Sequence, residues 1–198
     1  MKTKARIAKV KRDTTETQIE VEVNLDGTGV YKVDTGIGFL NHMLELFSKH
    51  SLIDLTVKAV GDLNVDEHHT VEDTGIVLGQ AITKALGDKR GIERYGFLLP
   101  MDEALAEVAI DLSGRPFLQW NATFKREKIG EMPTELFEEF FRAVADQLRA
   151  TIHINLRYGK NEHHMIEGIF KAFARALKIA VSQDERTRDL LPSTKGKL

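Results

Sequence analysis

One five-residue pattern occurs twice in this chain, and it limits what the chain can fold into more than any other feature. His68-His69-Thr70-Val71-Glu72 and His163-His164-Met165-Ile166-Glu167 both read His-His-x-x-Glu, and each opens an apolar-periodic stretch long enough for several helical turns. On a helix, residues i and i+4 share a face, whereas immediate neighbours diverge by about 100°. His68 can therefore grip one ion together with Glu72, and His163 with Glu167, while His69 and His164 point elsewhere. That geometry predicts two metal ions, with each motif giving ligands to both. An isolated helical histidine is more often a core or surface residue than a ligand. Two copies of one pattern, using four of the seven histidines, are not isolated. The pattern is neither HExxH nor HxxEH, so it does not imply peptide hydrolysis.

The rest of the chain repeats around these motifs. Ile7, Val10, Ile19, Val21, Val23 and Leu25 alternate and are followed by Asp26-Gly27-Thr28-Gly29, which predicts antiparallel strands and a turn. Gly36-Ile37-Gly38 leads into a helix with Phe39, Leu40, Met43, Leu44 and Phe47. A strand over Ile53 to Val60 precedes the first HHxxE helix, which runs to about Leu86 with Gly75 and Gly79 allowing close packing. In the second half, strands are predicted over Gly96 to Met101, Glu107 to Leu112 and Phe117 to Phe124. Pro133 opens a helix through Leu136, Phe137, Phe140, Phe141 and Val144. A strand over Thr151 to Arg157 then leads to the second HHxxE helix. Shifted by the spacing between the motifs, Val71, Leu78 and Ile82 fall on Ile166, Phe173 and Leu177. The expectation is an internally duplicated α+β fold with helices packed on one face of each sheet. Its parts are a first repeat over 1–92, a second over 93–183, and a tail over 184–198 that would be disordered or act as a lid.

Composition excludes several classes. The net charge of −2 over 198 residues argues against wholesale nucleic-acid binding. The absence of cysteine leaves imidazole and carboxylate as metal ligands. No basic-then-apolar leader or long apolar span is visible, so the expectation is a soluble cytoplasmic protein without membrane contact.

The duplication extends the ligand set. The helix before the first motif carries His42 among Leu40, Met43 and Leu44, and its counterpart carries Glu139 between Phe137 and Phe140. With a pseudo-twofold axis, one ion takes His42, His69, His163 and Glu167, and the other takes Glu139, His68, Glu72 and His164. Four mixed nitrogen and oxygen ligands leave open positions on an octahedral ion, which suits Mn²⁺ best, with Fe, Co or Zn as alternatives.

These stretches resemble imidazoleglycerol-phosphate dehydratases, enzymes of histidine biosynthesis. The resemblance rests on Gly38-Phe39-Leu40-Asn41-His42-Met43-Leu44, Asp66 to Asp73, Asp111-Leu112-Ser113-Gly114-Arg115-Pro116, Gly159 to His164, Phe170 to Ala174, and Pro192-Ser193-Thr194-Lys195-Gly196, and it covers nearly the whole chain. It implies a fold like the second domain of ribosomal protein S5. It also implies a homo-oligomer, a 24-mer shell, with active sites between subunits and Mn²⁺ bridging them. Metal ligands carry over to His42, His68, His69, Glu72, His163, His164 and Glu167. The family usually has His where this chain has Glu139, so Glu139 is expected as ligand with His153 as the alternative nitrogen. Relatives commonly carry Gln at Leu46. The substrate contacts implied are Glu16, His50, Arg94, Arg115, Lys171, Ser193 and Lys195, together with His42. A phosphate needs convergent cations and hydroxyls, and these residues supply them only if folding or assembly brings them together.

The reaction implied is loss of water from imidazole glycerol phosphate to give imidazole acetol phosphate. The ring would be held as a metal-bound imidazolate that expels the adjacent hydroxyl. Glu16 or Glu167 would then take the carbon-bound proton, with His50 or a metal-bound water protonating the leaving hydroxyl. Two other classes fit parts of the pattern: a structural metal clip between subunits, and a metallohydrolase of phosphate esters.

Overall fold

In the computed structural model, residues 5–96, 99–187 and 189–195 are described. The first half owes its sheet to strict alternation. Thr17, Ile19, Val21 and Val23 are buried while Gln18 and Glu22 are exposed, so this stretch can only be a strand with one wet face. Strands β1 (Ile7–Asp13), β2 (Thr17–Asn24), β3 (Tyr31–Asp34) and β4 (Asp54–Gly61) form a sheet in the order β1-β2-β4-β3. The β1/β2 and β2/β4 pairs are antiparallel and β3/β4 is parallel. A parallel pair needs a crossover, and helix α1 (Gly38–Ser51) provides it. Helix α2 (His68–Leu86) closes the half.

The second half repeats this plan. Strands β5 (Tyr95–Gly96), β6 (Leu99–Met101), β7 (Ala104–Asp111) and β8 (Phe117–Asn121) are followed by a small hairpin, β9 (Lys128–Ile129) and β10 (Met132–Pro133). Helix α3 (Leu136–Leu148), strand β11 (Thr151–Tyr158) and helix α4 (Glu162–Val181) complete it. The sheet order is β5-β7-β11-β8, with β6 also on β7. The β7/β11 pair is antiparallel and β8/β11 parallel, as in the first sheet. The duplicated α+β architecture is therefore observed.

The core lies between the two sheets. Helix α2 packs on β1 and β2 and α4 on β5, β6 and β7, while α2 meets α3 and α1 meets α4 across the two halves. Phe141 links this interior, with ring centroids 4.9 Å from Phe170 and 5.2 Å from Phe173. The α2/α3 seam is closer still. A Cβ on Gly75 would lie 2.8 Å from the Phe140 carbonyl oxygen, and one on Gly79 would lie 3.0 Å from that of Val144. Among the described residues no helix is long and apolar enough to cross a membrane.

Some local expectations are corrected. Asp26 to Gly29 is not a hairpin between paired strands. It carries the chain from β2 past β4 to β3, with the Thr28 and Val30 amides donating to Asp54 at 2.8 and 2.9 Å. The tight turn lies earlier, where the Thr14 hydroxyl accepts from the Glu16 and Thr17 amides. Pro133 does not open a helix. It sits in β10, and α3 starts at Leu136 after the Gly130 turn, where φ is +60°. The strand expected over Gly96 to Met101 is split into β5 and β6, and its Phe97 and Leu98 lie outside the described residues, as do Arg188 and Gly196 to Leu198 of the tail. Strand β8 ends at Asn121, three residues before the expected Phe124.

Candidate metal centre

Both HHxxE helices begin on a short polar side chain that satisfies an amide of the first turn. Asp66 Oδ1 accepts the His68 amide at 2.8 Å, and Asn161 Oδ1 accepts the His163 amide at 3.0 Å. The paired histidines thus enter the helices in the same way.

In the α1/α4 seam, ligand atoms of His42, His163 and Glu167 all lie within 4.8 Å of one another, the one such group of His, Asp or Glu among the described residues. His163 Nε2 is 3.6 Å from Glu167 Oε2, and the His42 and His163 rings are 5.7 Å apart. Phe39 sets its edge against His163 at 5.3 Å and walls the group from α1. Glu167 is 9% exposed, and its second oxygen lies 2.5 Å from Lys171 Nζ. A buried carboxylate beside two imidazoles could hold a positive ion.

The corresponding residues of the α2/α3 seam, His68, Glu72 and Glu139, do not draw together in this way within the chain. His68 Nε2 is 3.9 Å from Glu72 Oε2, and Glu139 on α3 is held by Arg142 Nε at 3.6 Å. All three side chains are more than a third exposed.

His69 and His164 join neither group within the chain. His69 Nδ1 lies 3.1 Å from Asp62, with Nε2 3.9 Å from Glu16, and His164 Nδ1 lies 2.9 Å from Glu103. The hydrogen bond to Asp62 raises the pKa of His69 above 6.5, and that to Glu103 does the same for His164. The Glu103 carboxyl is in turn brought down to about 2, first by His164 and then by the Asn161 amide. A carboxylate on one ring nitrogen fixes the tautomer and orientation of a histidine whose other nitrogen binds a metal. Spacing gives no warning of Asp62 and Glu103. Both stand on loops whose approach to the motifs is decided by the tertiary fold.

A family model for imidazoleglycerol-phosphate dehydratase matches residues 35–177, the span that contains both groups. The chain belongs to this family. The imidazoleglycerol-phosphate dehydratase of Clostridium acetobutylicum is 59% identical over 194 residues, 98% of each chain. That of Paracoccus denitrificans is 58% identical over 98% of this chain and 100% of its own. A histidine biosynthesis bifunctional protein of Spirosoma linguale is 60% identical, and the chain spans 50% of its length. The crystal structure of the Staphylococcus aureus dehydratase superposes with a TM-score of 0.82 at 47% identity, covering 90% of this chain and 99% of that one. The Pyrococcus furiosus structure gives 0.81 at 36% identity, covering 96% and 100%.

In this imidazoleglycerol-phosphate dehydratase family member, the residues expected to contact substrate fall into separate places. His50 and Lys171 flank the α1/α4 group. Burial lowers the His50 pKa, and the charges of Lys171 and Arg175 lower it further against the pull of Glu167. Arg94 instead grips Asp111 through Nε and Nη2 and donates from Nη1 to the Pro192 carbonyl at 3.0 Å. Its amide bonds the Ala180 carbonyl, nine residues past Lys171 on α4 and so roughly 14 Å further along the helix. Ser193 and Lys195 follow Pro192, the Lys195 amide donating to Ser193 Oγ at 3.2 Å. Arg115 is exposed, its amide held by Ser113 Oγ at 3.2 Å. Glu16 is exposed beside His69. His153 lies on the exposed face of β11, ring against Phe117 at 5.8 Å, while Ile152 and Ile154 face the helices. That face is turned away from the α2/α3 seam of its own chain.

Proposed function

We propose that this protein dehydrates imidazole glycerol phosphate to imidazole acetol phosphate in histidine biosynthesis, using Mn²⁺ bound at sites that form between subunits of a cytoplasmic homo-oligomer. The observation that carries the reading is the division of the histidines. His42 and His163 converge on Glu167, whereas His69 and His164 are each fixed by a carboxylate and turned away from both groups of their own chain. Supplying the fourth ligand to each nest from another copy completes the sets His42, His163, Glu167 with His69, and Glu139, His68, Glu72 with His164. A 24-subunit shell is the assembly implied by the resemblance, with 1–92 and 93–183 as the two copies of the repeat and 184–198 as a lid.

The donor set fits the metal, since imidazole nitrogen and carboxylate oxygen without sulfur suit Mn²⁺. When bound, the ions supply Lewis-acid charge that favours the deprotonated form of the substrate's azole ring. The chain's own groups do the rest. Lys171 ion-pairs with Glu167 and so holds that carboxylate in place for ligation. Glu167 is thereby committed, and Glu16, exposed near His69, is the carboxylate left to take the carbon-bound proton. Burial and the charges of Lys171 and Arg175 lower the His50 pKa, so its imidazolium is a stronger acid than a free one; that charged form hands a proton to the departing hydroxyl, leaving neutral His50 to take another from solvent. Arg94, Arg115, Lys171, Ser193 and Lys195 bind the phosphate once assembly draws them together.

The test is to incubate the full-length, Mn²⁺-loaded protein with imidazole glycerol phosphate and follow both the ketone product and inorganic phosphate. The ketone should form without phosphate release. Phosphate without ketone would make the protein a phosphohydrolase, and neither product would make its metal a structural clip. His69→Ala and His164→Ala should each lose metal and turnover, and full activity in either would refute the two-ion site.

A further inference from the structure

We infer that the two cation nests differ in kind: the α1/α4 nest is built for a nitrogen-preferring ion, and the α2/α3 nest for a harder, oxygen-preferring one. The inference rests on the metal reading above and adds to it a difference in selectivity between the two ions of one chain.

The duplication itself provides the comparison. Helices α1 and α3 are equivalent crossovers to parallel strands, and each packs on the HHxxE helix of the opposite half. Phe47 of α1 stacks against Phe173 of α4 at 5.8 Å. At the matching place Val144 of α3 lies against α2, its carbonyl 3.0 Å from where a Gly79 Cβ would be. Setting Phe47 on Val144 sets His42 on Glu139, because each lies five residues earlier. The first nest therefore offers two imidazoles and one carboxylate from its own chain. The second offers one imidazole and two carboxylates. An outward histidine added to each leaves the difference intact.

The surroundings act in the same direction. On α4 the four-residue stripe runs His163, Glu167, Lys171, Arg175, so the α1/α4 carboxylate already has an ammonium at 2.5 Å and a second cation one turn on. On α2 the stripe runs His68, Glu72, Ile76, Gln80, and Gln80 ends in a neutral amide bond to Gln147 at 3.0 Å. The guanidinium by the second nest is that of Arg142, in an exposed pair with Glu139 that an ion can displace at little cost. A nitrogen-rich nest with part of its negative charge neutralised discriminates among divalent ions by the affinity of imidazole, which rises from Mn²⁺ to Ni²⁺. A carboxylate-rich nest discriminates less and retains Mn²⁺.

The experiment titrates Ni²⁺ into the full-length protein loaded with Mn²⁺, and follows released Mn²⁺ by its electron paramagnetic resonance signal and retained metals by elemental analysis. The wild type should release Mn²⁺ in two steps separated by on the order of tenfold or more in Ni²⁺. Glu139→His should merge them at the low-Ni²⁺ end. His42→Glu should abolish the early step, and it serves as the deciding variant if Glu139→His does not assemble. A single step in the wild type, or two steps unmoved by either folded variant, overturns the inequality and leaves the metal reading standing. Failure of the wild type to retain Mn²⁺ at all overturns both.

Discussion

Gly75→Ala tests the packing that brings the second nest together. The new Cβ would lie 2.8 Å from the Phe140 carbonyl oxygen, 3.2 Å from Ala143 Cβ and 3.3 Å from Phe140 Cδ2. The first of these is backbone, so no side-chain rotation relieves it, and α3 must move off α2. Two terms oppose each other. Removing a mid-helix glycine returns about 1 kcal/mol of helix propensity, while forcing a methyl into a packed seam costs about 1–3 kcal/mol. The net is a loss on the order of 1 kcal/mol, or roughly 2–4 °C in apparent Tm for a chain of this size. Gly38→Ala is the control: it is a helical glycine with nothing within 4 Å of its Cβ, so it should hold or raise Tm. Thermal unfolding followed by circular dichroism compares the two. Because α3 carries Glu139 and α2 carries His68 and Glu72, Gly75→Ala should also lose Mn²⁺ from the α2/α3 nest while the α1/α4 nest keeps its own. A Gly75→Ala protein as stable as Gly38→Ala would show that the seam yields without cost and that the close approach does not hold Glu139 in place.

Asp62→Asn and Glu103→Gln should each weaken retention of metal by roughly 10–100-fold in chelator competition, since they unfix the ring nitrogen opposite the ligating one; unchanged retention would remove these carboxylates from the site. Asp111→Asn should loosen Arg94 and with it the tail at Pro192, seen as faster proteolysis within 184–195 and a raised KM at similar kcat, whereas an unchanged cleavage rate would refute the tether. Arg6 lowers the pKa of Asp26 below 3.8, so the pair contributes stability that is present above that value and is lost as pH falls through the lower folded value. Acid unfolding of Arg6→Met should accordingly begin at higher pH than that of the wild type, and coincident acid transitions would deny the pair this role.

How much of this is legible in the sequence depends on how locally each feature is encoded. The pairs His68 with Glu72 and His163 with Glu167 follow from helical spacing alone, and the structure holds them 3.9 and 3.6 Å apart. His42 requires the duplication, because nothing in its own helix marks it as more than a polar residue among apolar ones. Strand β3 leaves no signal because it is four residues long and mostly exposed, with no alternation to read. Pro133 misleads for a physical reason: its fixed φ suits the first turn of a helix and a short edge strand equally, and burial of Ile129 and Met132 in the β9/β10 hairpin decides for the strand. Asp62, Glu103 and Asp111 are beyond reach, since each acts on a partner 7 to 61 positions away through loops or strand ends. The cations proposed to bind phosphate show the limit most clearly. Lys171 stands at the α1/α4 nest, while Arg94 is tied to Asp111 and the tail beyond the far end of the same helix. Within one chain the proposed parts of the site stand apart, and hydrophobic periodicity, which encodes how a chain packs on itself, carries no record of what a second copy would bring to its surface.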